Sequence, residues 1–313
     1  MIFLILFCSA LFASSIFVNK LLLFSLSPSL LSGIRMFISG LVLLFLNKKS
    51  YQQGSLNKIA KNWKIFFSIT FFTVLIPTVC KAYAIKNMLS SKAAFIGSFD
   101  PFITAAYAYF LFDEELSIKK LVGMISAFCG AVVLFSEHSL AENSLEFFFR
   151  ISWPELAALT STAVGRLGWM MVQDEMRKND LSSSDVNGIV MTAAGFLAFG
   201  LVPVLGFLGL GDGSFFISAH FWTLKSSLLL AYTVIFGNLI AYSLYGYLLK
   251  HNSATLLSLA GATIPIYVTA LGYFFLKEPV SLRLLVAAGS ILCGIFIFYY
   301  EDLFGTKGLF KKR

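Results

Sequence analysis

The sequence predicts an all-α, polytopic membrane protein: ten transmembrane helices arranged as two inverted five-helix repeats. Three observations lead there. The 313 residues are 58% hydrophobic and only 13% charged, with a mean hydropathy of +0.82, more apolar than the surface of a water-soluble globule allows. The apolar residues gather into long continuous runs, each near the ~20 residues that cross a bilayer as a helix, instead of alternating as barrel strands do. The third observation is that the second half of the chain repeats the first.

Apolar windows place helices near 3–24, 29–47, 65–87, 92–112, 119–136, 154–173, 186–208, 225–249, 254–275 and 281–300. Trp63, Trp153, Trp222, Tyr299 and Tyr300 fall at predicted ends, where aromatic anchors sit in the membrane interface. The N-terminal run lacks a basic leader and continues past Lys20 to Phe24, so it reads as the first span and not as a cleaved signal peptide. Cys8, Cys80, Cys129 and Cys293 all lie in apolar runs without a C-x-x-C pair, which points to packing and gives no disulfide or metal framework.

Orientation follows from the basic residues. With both termini cytoplasmic, fourteen lysines and arginines lie on inner segments and six on outer ones, and the run 48–64 holds no acid. The net charge of +8 is thus accounted for by topology and implies no nucleic-acid partner; membrane lipid is the expected surroundings.

Shifting the sequence by 164 residues aligns 83–137 with 247–301 without a gap. Fifteen of these 55 positions are identical, among them Gly97/Gly261, Pro101/Pro265, Glu114/Glu278, Ser117/Ser281, Cys129/Cys293 and Gly130/Gly294. Two unrelated apolar stretches would share roughly 5 on composition alone. The expected organisation is a first repeat over 1–136, a connection over 137–153, a second repeat over 154–300 and a basic cytoplasmic tail over 301–313. An odd number of spans per repeat turns the second upside down, an arrangement found in secondary transporters that work by alternating access.

Ionisable groups in mid-membrane are costly and must be paired or face a wet cavity. Arg35, Lys81, Asp100 and Arg166 are such groups, whereas Lys20 lies near enough to a helix end to snorkel. Asp100 stands out because the residue 164 positions on is Ile264 while the adjoining prolines match. Helical spacing places Asp100, Thr104 and Tyr107 on one face; Thr162, Arg166, Trp169 and Gln173 share another, and Asn238, Tyr242 and Tyr245 a third. Three polar stripes converge on one predicted cavity. Its candidate substrate-binding residues are Asp100, Lys81, Arg166, Thr104, Tyr107, Trp169, Asn238, Tyr242 and Tyr245. Arg35, Glu114 and Glu278 read as structural charges, and Pro101 and Pro265 as helix kinks in mid-membrane. Three cations against one acid would attract a carboxylate or phosphate. An amino acid or a related carboxylate-bearing metabolite fits, with Arg166 or Lys81 on the carboxylate and Asp100 on the amine.

No phosphate loop, paired core aspartates or central histidine is present, so neither an ATP-driven pump nor a membrane enzyme is indicated, and no cofactor is implied.

The segments "LFASSIFVNKLLL", "LSPSLLSGIRMFISGLVLL", "FDEELSIKKLVGMISAFCGAVVLF" and its echo "FLKEPVSLRLLVAAGSILCGIFIF" resemble the drug/metabolite transporter superfamily, in particular its EamA-type ten-helix members. Phe12-Ala13 stands where that family often has a Trp-Gly pair. The resemblance implies a central cavity between the halves and small polar metabolites or drugs as substrates; the expected location is a bacterial inner membrane, and a proton that Asp100 could carry, or a counter-substrate, is the candidate coupling partner. Amino-acid and drug exporters belong to the family, as do S-adenosylmethionine carriers of host-dependent bacteria. The abundance of Phe (34 residues), Lys, Asn and Ile fits an AT-rich genome of that kind. A multidrug exporter and a membrane scaffold without transport are the remaining alternatives.

Overall fold

A computed structural model describes residues 2–112, 118–135, 151–207, 223–251, 257, 261 and 263–304. Glu114, residues 137–150 of the expected connection and 305–313 of the tail lie outside the described residues. The described chain is helical: α1 (Ile2–Leu22), α2 (Pro28–Leu46), α3 (Trp63–Asn87), α4 (Ser90–Gly97), α5 (Asp100–Phe112), α6 (Ile118–Phe135), α7 (Trp153–Lys178), α8 (Ser183–Phe207), α9 (Leu224–His251), α10 (Ile264–Leu276) and α11 (Leu282–Phe304). Each of the ten predicted windows contains helix. Among the described residues five helices, α1, α2, α3, α8 and α9, are by themselves long and apolar enough to span. Large side chains such as Phe3, Phe45, Ile118 and Phe207 project outward, which suits a surface wetted by lipid.

Local chemistry sets the helix ends. Ser27 accepts a hydrogen bond from the Leu30 amide, and Pro28, which has no N–H to leave unsatisfied, opens α2. Between α2 and α3 the chain runs in short helical turns that reverse at Gly54, whose φ of 113° suits only glycine. Tyr51 and Ser50 fasten these turns to the first turn of α8, through Tyr51 OH to Asp185 O and Ser50 Oγ to Asp185 Oδ2, each 2.8 Å.

The predicted helix 92–112 is two helices. The chain turns at Ser98–Phe99, and Asp100 and Pro101 then open α5. Phe99 O accepts from both Phe102 N and Ile103 N at 3.0 Å, so the break leaves these backbone groups satisfied. The same pattern recurs 164 residues on, where Thr263 O accepts from Ile266 N and Tyr267 N at 3.1 and 3.3 Å and Pro265 lies in the first turn of α10. Pro101 and Pro265, expected as kinks inside continuous helices, instead start new ones, because the first turn is where a missing N–H costs least.

The two halves meet in reciprocal pairs. α2 packs along α8 and α6 along α11; α1 lies against α9 and α10, while α7 lies against α3, α4 and α5. The α6–α11 crossing shows the relation in single residues. Ser126 Oγ donates to the carbonyl of Ser290, its own equivalent 164 positions on, at 3.2 Å. On either side Gly123 lies against the backbone of Gly294, and Gly130 against that of Ala287. Small residues let these backbones approach, and without a hydrophobic driving force in lipid that close packing holds the helices together. Equivalent π-helical turns also appear: Thr70–Leu75 in α3 maps by the same shift into Thr233–Ile240 in α9.

Two lysines depart from expectation. Lys20 does not snorkel; its ammonium donates to Ile85 O and Met88 O at 2.6 Å each and covers the last carbonyls of α3. Lys92, expected on an outer segment, is among the most buried large side chains and forms a 2.6 Å ion pair with Glu155, with the two side chains 2% and 1% exposed. Glu155 Oε2 also accepts from Ser152 N at 2.7 Å, so one acid caps α7 and neutralises α4. The pair thereby fixes α4 against α7, the helix that carries Arg166.

Lys92→Met should lower stability by about 3–5 kcal/mol, because it leaves a buried acid uncompensated. Lys92→Met with Glu155→Gln, which keeps the cap, should recover most of that loss in detergent unfolding. Gly130→Leu at the α6–α11 crossing should cost about 1–3 kcal/mol by overpacking, read as a lower unfolding temperature, while Ser126→Ala should change it little.

Candidate functional site

A cavity of about 220 Å3 lies between the halves. Its wall combines Phe12 and Ile16 of α1, Thr73, Pro77, Thr78 and Lys81 of α3, and the break between α4 and α5 at Gly97, Ser98, Asp100 and Pro101. From the second half come Ser161, Thr162, Gly165, Arg166 and Trp169 of α7 and Tyr242 and Tyr245 of α9, with Leu257, Gly261 and Ile264 closing the side.

The polar end holds three charges. Asp100 Oδ2 lies 3.6 Å from Arg166 Nη1, an ion pair made between the two halves. Arg166 is almost fully enclosed at 2% exposure, whereas Asp100 keeps 27% and so faces the lumen as well. Arg166 Nη1 also reaches the Tyr245 hydroxyl at 3.4 Å. Breaking the helix puts Asp100 in the first turn of α5, where the helix dipole favours a negative charge. Lys81 has an exposed side chain even though it lines an interior cavity, which places its charge in the lumen.

The adjoining wall is aromatic. Trp169 meets Tyr245 edge-on with ring centroids 4.7 Å apart and Tyr242 at 5.7 Å. Phe12 packs against the same two tyrosines at 5.6 and 5.8 Å. The rings touch one another, so they form a continuous apolar floor beside the charges.

The structure thus brings Asp100, Lys81, Arg166, Trp169, Tyr242 and Tyr245 together, with Pro101 beside them. It takes three other expected residues out of the wall. Thr104 Oγ1 turns back onto Asp100 O at 2.7 Å, as threonines in helices commonly do. Tyr107 spends its hydroxyl on Ala163 O at 2.9 Å and so links α5 to α7. Asn238 is fully buried; its Oδ1 accepts from Arg35 Nη2 at 2.7 Å, and its amide donates to Arg35 O at 3.2 Å and to Ser39 Oγ at 3.0 Å. A buried guanidinium demands polar partners, and the π-helical turn of α9 presents Asn238 to it. Among the described residues this amide, and no carboxylate, is what Arg35 holds. Glu278 accepts from Ser90 N at 3.1 Å and Ser90 Oγ at 2.7 Å, capping α4 from the other half.

Phe12, Thr73 and Thr78 belong to the wall and are not among the candidate site residues read from the sequence. Phe12 could have been found, since it stands in the Trp-Gly position of the family it resembles; the threonines give no more signal than any threonine in an apolar helix.

Comparison with known proteins agrees with this architecture. A transporter of S-adenosylmethionine and S-adenosylhomocysteine from Chlamydia muridarum is 27% identical over 307 residues, covering 96% of this chain and 92% of its own. Its counterpart in Chlamydia trachomatis serovar L2 is also 27% identical, over 96% and 89% of the two chains. A crystal structure of 18% identity superposes over 94% of both chains with a TM-score of 0.63, a likeness of fold. The EamA-like transporter family model matches residues 1–136 and 157–300, and the chain belongs to that family: a multi-pass membrane transporter, not an enzyme.

Proposed function

We propose that the protein exchanges S-adenosylmethionine for S-adenosylhomocysteine across a bacterial inner membrane, by alternating access between two inverted halves with both termini in the cytoplasm. The observation that carries this reading is the adjacency, in one cavity, of a zwitterion-sized set of charges and a continuous aromatic floor. Both nucleosides end in an α-amino carboxylate. Lys81 and Arg166 receive the carboxylate and Asp100 the ammonium, through charge-assisted hydrogen bonds in a water-poor site. The adenine then lies on Trp169, Tyr242, Tyr245 and Phe12, where stacking of a base on an aromatic ring contributes about 1–3 kcal/mol, the cost of replacing that ring by alanine. A bare amino acid would satisfy the charges and leave the floor unused, which favours the nucleoside over the amino acid that charge counting alone suggests. The relatives named for these two nucleosides cover almost the whole chain. The cavity, at about 220 Å3, is smaller than the ~300–1,000 Å3 of sites that enclose a ligand of this size, so the halves part further on loading.

Proteoliposomes loaded with S-adenosylhomocysteine should take up labelled S-adenosylmethionine by counterflow, with unlabelled forms of both competing and methionine competing poorly. Strong competition by methionine without nucleoside uptake would return the substrate to the amino-acid class. Asp100→Asn and Lys81→Gln should each reduce transport about 10- to 100-fold, the loss expected of one charge-assisted hydrogen bond. Trp169→Ala should raise the KM for both nucleosides and leave residual methionine binding unchanged.

A further inference from the structure

We propose that Arg35, which stands outside the cavity wall, selects the cargo's carboxylate from behind it: the buried guanidinium has no carboxylate of the protein to answer its charge, and the cargo brings one. The proposal deepens the substrate reading given above and rests on it for the amino-carboxylate end of the cargo. Three basic side chains are buried among the described residues. Two of them are met by acids, Lys92 by Glu155 at 2.6 Å and Arg166 by Asp100 at 3.6 Å. Arg35 is the exception. It is 7% exposed, its Nη2 meets the neutral Asn238 Oδ1 at 2.7 Å, and its Nε has no acceptor among the described residues.

An amide satisfies an N–H and cancels no charge, and a guanidinium keeps its proton inside a protein. A full positive charge therefore stays behind the wall, whether or not Lys81 is charged. Its place gives that charge a direction. Asn238 holds the guanidinium, and Tyr242, four residues further along α9, lines the cavity. Lys81 of α3 lines it too, and Arg35 stands close enough for its charge to act on both Lys81 and Tyr242. Among the described residues the wall has one carboxylate, Asp100, and Arg166 holds it. The Arg35 side of the cavity is thus left positive. At an effective dielectric near 20, a unit charge at roughly 10 Å still changes the affinity for an anion about tenfold. Salt does not screen a buried charge as it screens one on the surface. An empty carrier leaves Arg35 unanswered, and a bound carboxylate lowers that cost without touching it. Asn238 keeps the charge available, because an aspartate in its place would hold the same guanidinium and cancel its field.

The test titrates the purified protein calorimetrically with S-adenosylhomocysteine and with its carboxamide, which has the same shape and lacks the negative charge. The ratio of the two dissociation constants is the readout, since a merely structural fault weakens both ligands alike. The wild type should prefer the carboxylate. In Arg35→Gln and in Asn238→Asp that preference should fall about tenfold, whereas Arg35→Lys, which keeps the charge, should stay within about threefold of the wild type. The first two variants remove the field by different routes, so either one that folds decides the matter. Equal affinity of the wild type for both ligands, or an unchanged ratio in folded Arg35→Gln or Asn238→Asp, overturns the proposal and leaves the substrate reading in place. The same tenfold fall in folded Arg35→Lys also overturns it, because the charge is then not what is read. Binding of neither ligand by the folded wild type overturns the substrate reading and this proposal with it.

Discussion

An acid from one half of the chain and an arginine from the other approach to 3.6 Å inside a lipid-embedded bundle, and most of the architecture is arranged around that approach. Neither charge is tolerable alone at that depth. Asp100 is admitted because its helix is broken just before it, so that the first turn of α5 and the Arg166 guanidinium both oppose its charge. Arg166 is admitted because Asp100 and the Tyr245 hydroxyl meet it. The pair links the halves across the cavity that separates them, so a cargo bearing both an ammonium and a carboxylate competes for the contacts that hold the site together.

Symmetry supplies the frame and departures from symmetry supply the chemistry. The equivalent helix breaks, the small-residue crossing of α6 and α11 and the matching π-helical turns all obey the 164-residue shift. The last carbonyls of α3 and α9 are covered in a similar way: Lys20 donates to Ile85 O and Gln173 to Leu249 O, the acceptors 164 positions apart and the donors at different offsets on α1 and α7. In that last pair the acceptor is kept while one half uses a charge and the other an amide. The site shows the same divergence more strongly. Asp100 corresponds to Ile264 and Asn238 to Val74, so the acid and the amide that answers Arg35 each exist in one half only. A strictly symmetric cavity would present the same groups twice; this one has a charged end and an aromatic floor.

The buried ion pairs divide into two kinds. Lys92–Glu155 is sealed from water and fixes α4 against α7. Asp100–Arg166 is longer and partly open to the lumen. A sealed pair contributes specificity of packing, whereas an open one can be exchanged for ligand contacts, because the partner leaving is replaced by another charge and not by a void. The cap made by Glu278 on Ser90 belongs with the first kind and ties the C-terminal end of α10 to the start of α4.

The sequence by itself determined which windows are helical, since a bilayer forces continuous apolar runs to satisfy their own backbone, and it revealed the duplication, since fifteen identities survive in register. It also marked the odd residue, Asp100, by setting it against Ile264. It did not decide partners. Lys81 and Arg166 are equivalent candidate partners for Asp100 in the sequence, and only packing gave Asp100 to Arg166, left Lys81 to the open lumen and supplied the structural charge Arg35 with an amide 203 residues away. Nor did helical spacing distinguish Tyr245, which lines the cavity, from Tyr107, which turns away from it. A stripe defines a direction on one helix, and what stands in that direction depends on helices far along the chain.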